Sequence, residues 1–238
     1  MHPIIAKIGP FTIYSYGMMV AIAFLFGIFI AKSEAVRKKI NPDLMYNFSF
    51  YILVGSIISA RIYYIFFFDL KSFLNDPVYI FKVWQGGLSI HGGIFGGIVT
   101  GLIFSRIHKV SFWVLADLIT PSIILAQAIG RIGCFLNGCC YGVSMKPFCG
   151  MNSHPTQIYE FILDFIGFLL LWNLRKKIRF ESGLFLLYLM MYAVIRIIVS
   201  QFRADNLYLL GTNLTLAGLT SVVIFMTAMI LYIKKRHG

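Results

Sequence analysis

Apolar runs of about 20 residues, long enough to cross the hydrocarbon core of a bilayer as a helix, recur seven times along this sequence. They fall at residues 13–31, 48–68, 88–105, 112–129, 157–173, 183–202 and 214–233. In lipid, such runs must satisfy their backbone polar groups internally. The expectation is therefore an all-α, polytopic bundle of about seven transmembrane helices, forming a single integral membrane domain over residues 1–238. Composition agrees, with 59% hydrophobic, 16% aromatic and only 13% charged residues. No internal repeat, low-complexity tract or nucleotide-binding loop interrupts the pattern.

In a soluble protein the formal charge of +12 would point to nucleic acid. Here it reports topology. Lys32 to Lys39, Arg106 with Lys109, Arg175 to Arg179 and Lys234 to Arg236 fall in alternate connections, and the positive-inside rule assigns those connections to the cytoplasm. The amino terminus is then outside and the carboxyl terminus cytoplasmic. The first positive flank follows its apolar run and no small-residue cleavage site is evident, which argues against a cleaved signal peptide. Nucleic acid is excluded as a partner.

With this orientation the polar residues of the spans fall at one depth. Tyr16, His91, Gln157 and Glu160 lie in the outer turns of their spans, and Arg61, Arg131, Arg196 and Arg203 in outer portions of theirs. A charge within a span costs about 2.5–3.5 kcal/mol on insertion scales, so this grouping implies a shared cavity in the outer half of the bundle. Helical spacing places Tyr192, Arg196 and Arg203 on one face of the sixth span, and Gln157, Glu160 and Asp164 on one face of the fifth. Glu160 is expected to pair with Arg203 or Arg196, which leaves arginines over. A net positive cavity suits an anionic lipid headgroup, and His91, with an ordinary pKa of about 6.5, is the natural proton acceptor. The rival readings are a transporter and a non-catalytic lipid-binding scaffold. A transporter would show repeat symmetry and midplane sites on interrupted helices, and neither is visible.

The fourth run is expected to end at Ile129 and break into Gly130-Arg131-Ile132-Gly133-Cys134-Phe135-Leu136-Asn137-Gly138-Cys139-Cys140-Tyr141-Gly142. Its arginine offers a fork of donors that suits phosphate, and its glycines let backbone approach a ligand closely. Gly93, Gly97 and Gly101 form a small-residue packing face on the third span. The connector over residues 69–85 is amphipathic, with Trp84 as an interface anchor. The four cysteines, Cys134, Cys139, Cys140 and Cys149, occupy one connecting segment. Their spacing matches no structural zinc framework, and no metal is expected. An oxidising compartment would permit a disulfide, though adjacent Cys139 and Cys140 are poorly placed to bridge each other.

Several of these stretches together resemble the prolipoprotein diacylglyceryl transferase family. They are Tyr16-Gly17, Val83 to Gly93, Gly130 to Gly142, His154-Pro155-Thr156-Gln157-Ile158-Tyr159-Glu160, and Tyr192 with Arg196 and Arg203. Their order and spacing cover nearly the whole chain. The resemblance implies a multi-pass enzyme of the bacterial cytoplasmic (inner) membrane with phosphatidylglycerol and preprolipoprotein signal peptides as substrates. It would move the diacylglyceryl group onto a lipobox cysteine without a cofactor and release glycerol phosphate. It places functional weight on Tyr16, His91, Arg131, Asn137, Gly142 and Arg196. Arg131 and Arg196 would bind the phosphate, Tyr16 and Asn137 would orient the headgroup, and Glu160 with Arg203 would form a supporting pair. Gly142, Arg61 and Tyr192 complete the expected lipid site, and Gln157 is a supporting residue beside Glu160 and Arg203. The chain departs from the family pattern at Cys134, Cys139, Ser200 and Gln85, where asparagine, glutamate, glutamate and aspartate are expected.

Overall fold

The computed structural model describes residues 2–8, 11–148, 151–209 and 215–237. Among these residues eight α-helices dominate: α1 (Ser15–Arg37), α2 (Asp43–Phe68), α3 (Leu70–Asn75), α4 (Ile90–Ile107), α5 (Phe112–Asn137), α6 (Thr156–Leu174), α7 (Gly183–Ser200) and α8 (Leu216–His237). All but α3 are long and apolar enough to cross a membrane, so the chain is a multi-pass membrane protein. Two small antiparallel hairpins, β1 (Ile4–Ile8) with β2 (Phe11–Tyr14) and β3 (Ser144–Phe148) with β4 (Met151–Ser153), accompany the helices. Cys149 and the expected start of the last span at Leu214 lie outside the described residues.

The chain divides into two compact units. One comprises Met1–Ala31 with Ala116–Gly238, the other Lys32–Leu115. In the second unit, α2 and α4 pack through glycine. Gly101 of the expected face is buried and Gly93 and Gly97 meet α2, but the closest approach is at Gly92 and Gly96. Gly92 and Gly96 are buried while Gly93 and Gly97 are less so. A Cβ at Gly92 would stand 2.7 Å from the Ser59 carbonyl oxygen, and one at Gly96 would stand 2.6 Å from that of Gly55. Glycine here permits a backbone approach that no other residue allows.

Arg61 organises the connector of the same unit. Its Nη1 donates to the carbonyls of Gly86 (2.6 Å) and Gly87 (3.2 Å), its Nη2 to those of Tyr79 (2.6 Å) and Lys82 (3.3 Å), and its Nε to that of Ile80 (3.2 Å). The guanidinium also lies 4.5 Å over the Tyr79 ring. The connector, α3 followed by 3-10 turns at Pro77–Phe81 and Val83–Gln85, is thus wrapped around one buried cation. Gly86 and Gly87 turn it back with φ of 84° and 73°, values that cost a side chain strain. Trp84 projects outward, 76% exposed.

In the first unit, Ile124 of α5, Leu171 of α6, and Leu184 and Tyr188 of α7 form a buried core. The Ser122 hydroxyl donates to the Gly27 carbonyl at 2.7 Å, tying α5 to the middle of α1. The Asp117 carboxylate accepts the backbone N–H groups of Ser182 and Phe185, each at 3.0 Å. This buried acid caps α7, whose first turn has no partners of its own for those donors.

The fourth span corrects the expected boundary. Gly130 does not end α5, which continues for two further turns and carries Arg131 within the helix. Gly133 is a packing residue, since a Cβ there would lie 3.1 Å from Met19 Cβ and 3.3 Å from Tyr16 Cδ2. The stop is Gly138, with φ of 76°. Its N–H bonds the Phe135 carbonyl at 3.2 Å and the Cys139 N–H bonds the Cys134 carbonyl at 3.2 Å, the paired closure of a Schellman motif.

Candidate active site

Glu160 stands at the centre of the polar groups in the first unit. It lies one turn into α6 on the face it shares with Gln157 and Asp164, and all three are buried. Its Oε1 accepts from Arg203 Nη1 at 3.1 Å and from Arg196 Nη1 at 3.4 Å, and its Oε2 pairs with Arg131 Nε. One carboxylate therefore holds three guanidiniums from α5, α7 and the turn after α7. The expected single pair with Arg203 or Arg196 is part of this larger hub.

The three arginines are not equivalent. Arg203, 7% exposed, commits its other edge to Asp205 through Nε–Oδ1 at 2.8 Å and Nη2–Oδ2 at 2.6 Å. The hydrogen bonds to Asp205 push the guanidinium pKa up, and the same bonds hold the Asp205 carboxyl below the usual carboxylate range. Arg131 and Arg196 each spend one nitrogen on Glu160, and their side chains are 26% and 25% exposed. Their remaining N–H groups have no partner among the described residues. Two half-used forks on a shared acid can take a tetrahedral anion, because each guanidinium still offers planar, paired donors. Arg203 was expected on the face of the sixth span, yet α7 ends at Ser200. It reaches the hub from the following turn, where Asn206 donates to the carbonyls of Ser200 and Arg203.

The turn from Gly138 to Gly142 is pinned by the start of α6. Thr156 Oγ1 donates to the Cys140 carbonyl at 2.7 Å, and Gln157 Nε2 donates to that of Cys139. Gly142 N–H donates to the His154 carbonyl at 2.8 Å, and Val143 N–H to that of Phe202 at 2.8 Å. A Cβ at Gly142 would collide with the Phe202 carbonyl oxygen and sit 2.8 Å from His154 Cβ. Gly142 is thus required by backbone packing beside Arg203. Cys140 has φ of 64°, and burial followed by the contact with Cys139 pushes its thiol pKa up. The roles of Thr156 and Asp205 escaped the sequence reading. Arg203-Ala204-Asp205, with opposite charges two residues apart after a helix, was the available signal for the second.

Of the other expected residues in this unit, Tyr16 lies at the first turn of α1, 46% exposed. Asn137 is the exposed last residue of α5, and Tyr192 lies along α7 with its ring 6.2 Å from that of Tyr188. An apolar hollow of about 340 Å³ is lined by Tyr159, Ile162, Leu163, Ile198 and Phe202 together with His154. His91 and Arg61 belong to the other unit. His91 is exposed in the first turn of α4, its ring 6.4 Å from that of Tyr63. The five N–H donors of Arg61 are all engaged by backbone carbonyls, so its fork serves the connector.

The family model for prolipoprotein diacylglyceryl transferase matches residues 3–234. A Geobacillus kaustophilus protein named phosphatidylglycerol--prolipoprotein diacylglyceryl transferase is 37% identical over 247 residues, covering 96% of this chain and 90% of that protein. Proteins of the same name from Trichormus variabilis and Halalkalibacterium halodurans are 36% and 34% identical, covering 98% and 97% of this chain and 91% and 85% of their own lengths. With full-length similarity added to seven membrane-capable helices and a shared-carboxylate arginine hub, the chain belongs to the prolipoprotein diacylglyceryl transferase family.

Proposed function

We propose that this chain transfers the diacylglyceryl group of phosphatidylglycerol to the thiol of a lipobox cysteine in a preprolipoprotein, the first step of lipoprotein maturation. Its relatives are named for that lipid and that protein substrate. The observation that carries the reading is the Glu160 hub, which leaves Arg131 and Arg196 each with unused donors beside a third arginine already neutralised by Asp205.

A thiol with an ordinary pKa of about 8.5 is mostly protonated at neutral pH and must lose its proton to become a nucleophile. In this reading His91 takes that proton. The thiolate sulfur attacks the glyceryl carbon that bears the phosphate ester, a C–S bond forms as the C–O bond breaks, and the phosphate oxygen leaves with the electron pair as glycerol phosphate. Arg131 and Arg196 hold the phosphate and stabilise the charge gathering on its leaving oxygen, as preorganised donors do in a water-poor site. Tyr16, Asn137 and Tyr192 orient the headgroup, and Gln157 supports the turn beside it. Arg203 and Glu160 fix the forks in place, while Gly142 admits the backbone pairing beside Arg203. The apolar hollow beside Tyr159 and Phe202 offers a surface for hydrocarbon. Arg61 anchors the connector in this scheme. The site opens to the outer leaflet of the bacterial cytoplasmic membrane, and the reaction needs no cofactor.

The test is to incubate the purified protein with phosphatidylglycerol vesicles and a lipobox peptide and to follow the peptide's mass. The expected result is a diacylglyceryl gain on the cysteine peptide, none on its Cys→Ser counterpart, and turnover that persists in EDTA. A folded, lipid-binding protein that leaves the peptide unmodified would favour the scaffold reading.

A further inference from the structure

The structure brings together three thiols that the reaction above does not use. Cys134 stands three positions before the C-cap of α5 and Cys139 two positions beyond it, and the Schellman closure at Gly138 sets these two positions side by side. Cys140, itself in the left-handed region, folds its side chain back over the same spot. The three sulfurs lie within 4.8 Å of one another, and those of Cys139 and Cys140 are 3.3 Å apart. A non-glycine residue in the left-handed conformation costs energy, and here the conformation is held by bonds from Thr156 and Gln157 to the two cysteine carbonyls.

We infer that Cys134, Cys139 and Cys140 form a binding site for a thiophilic d10 cation of the Zn²⁺ class. Thiolate is the preferred donor of such ions. With Zn–S bonds of about 2.3 Å, sulfurs in a tetrahedral site stand about 3.8 Å apart, a spacing between the closest separation here and the outer limit. Modest side-chain rotation completes the geometry, since the turn is already closed. Three protein donors leave a fourth position for water or another small ligand, and all three cysteines are partly exposed, which gives the ion a way in. On binding, three S–H groups release their protons to solvent and three Zn–S bonds form. The resulting unit carries one negative charge. The charge lies on the turn that Thr156 and Gln157 hold, beside the arginine hub around Glu160. The site is read by metal binding alone, so it stands or falls separately from the proposed reaction.

The experiment is a Co²⁺ titration of the reduced, detergent-purified full chain, followed by Zn²⁺ displacement. The expected result is a near-ultraviolet thiolate-to-cobalt charge-transfer band that saturates at one ion per chain, is bleached by Zn²⁺, and survives Cys149→Ser. Cys139→Ser should weaken Zn²⁺ binding by more than the roughly 10- to 100-fold that loss of an outer-shell partner costs. A second measurement uses the unsubstituted chain, so that a variant's misfolding cannot decide the matter. Zn²⁺ should protect Cys134, Cys139 and Cys140 together from alkylation, read by peptide mass. Absence of the band, a band that persists in Cys139→Ser at full strength, or independent alkylation of the three thiols in Zn²⁺ would overturn the inference.

Discussion

Replacing Glu160 with glutamine keeps the size of the side chain and removes the one charge that three arginines share. The carboxylate side chain is 6% exposed and touches Arg203 at 3.1 Å, Arg196 at 3.4 Å and Arg131 directly. Two unit charges about 4 Å apart attract by about 4 kcal/mol at an effective dielectric near 20. Most of that gross attraction offsets desolvation, but deleting one partner of a buried pair leaves the desolvation cost standing, a net loss of about 3–5 kcal/mol. For a chain of this size, 1 kcal/mol moves Tm by about 2–4 °C. Glu160→Gln should therefore melt about 6–20 °C below the unsubstituted protein, read by thermal unfolding in detergent. Asp205→Asn is the matched control. It removes an acid from Arg203 too, but one whose side chain is 55% exposed, and exposed pairs contribute about 1 kcal/mol or less. A Glu160→Gln protein that melts with the Asp205→Asn control would refute the hub.

Arg131→Lys and Arg196→Lys keep the charge but lose the fork, and each should lower kcat by about 10²–10³-fold, the cost of losing one transition-state donor, with Tm little changed. Arg203→Lys should do the reverse, lowering Tm more than kcat, because its donors are bound to Glu160 and Asp205. His91→Gln should cost about 10²–10⁴-fold in turnover, the usual worth of a general base, while phosphatidylglycerol binding persists; near-normal turnover would remove His91 from the mechanism. Gly142→Ala drives a methyl into the Phe202 carbonyl and should destabilise by about 1–3 kcal/mol, seen as a lower Tm. Arg61→Gln should expose residues 69–89 to limited proteolysis, because its five carbonyl partners lose their donor.

The seven spans were legible because bilayer thickness imposes a length that hydropathy records directly. Glu160 and its arginines were legible as a group because buried charge in a membrane segment needs a partner. That all three arginines converge on one carboxylate depends on how α5, α6, α7 and the turn after α7 meet, which no local pattern encodes. Glycine misled in two places. Gly130 and Gly133 read as helix breakers although Gly133 serves close packing against α1, and the packing face of α4 extends from Gly93, Gly97 and Gly101 to Gly92 and Gly96, where α2 comes closest. Arg61 looked like a ligand for an anion since its partners are main-chain carbonyls, which every sequence possesses and none advertises. The convergence of the cysteine thiols rests on left-handed residues at Gly138 and Cys140. The first was readable as a helix stop, whereas a non-glycine residue in that conformation has no sequence signature.

The most direct test of the account is glycerol phosphate release by the purified protein supplied with phosphatidylglycerol, measured with and without a lipobox peptide and compared mole for mole with the peptide's diacylglyceryl gain. The account predicts release only when the peptide cysteine is present, in equal amount to the modified peptide, and strongly reduced in Arg131→Lys and Arg196→Lys. Release that ignores the peptide, or none from a folded sample that binds the lipid, would contradict it.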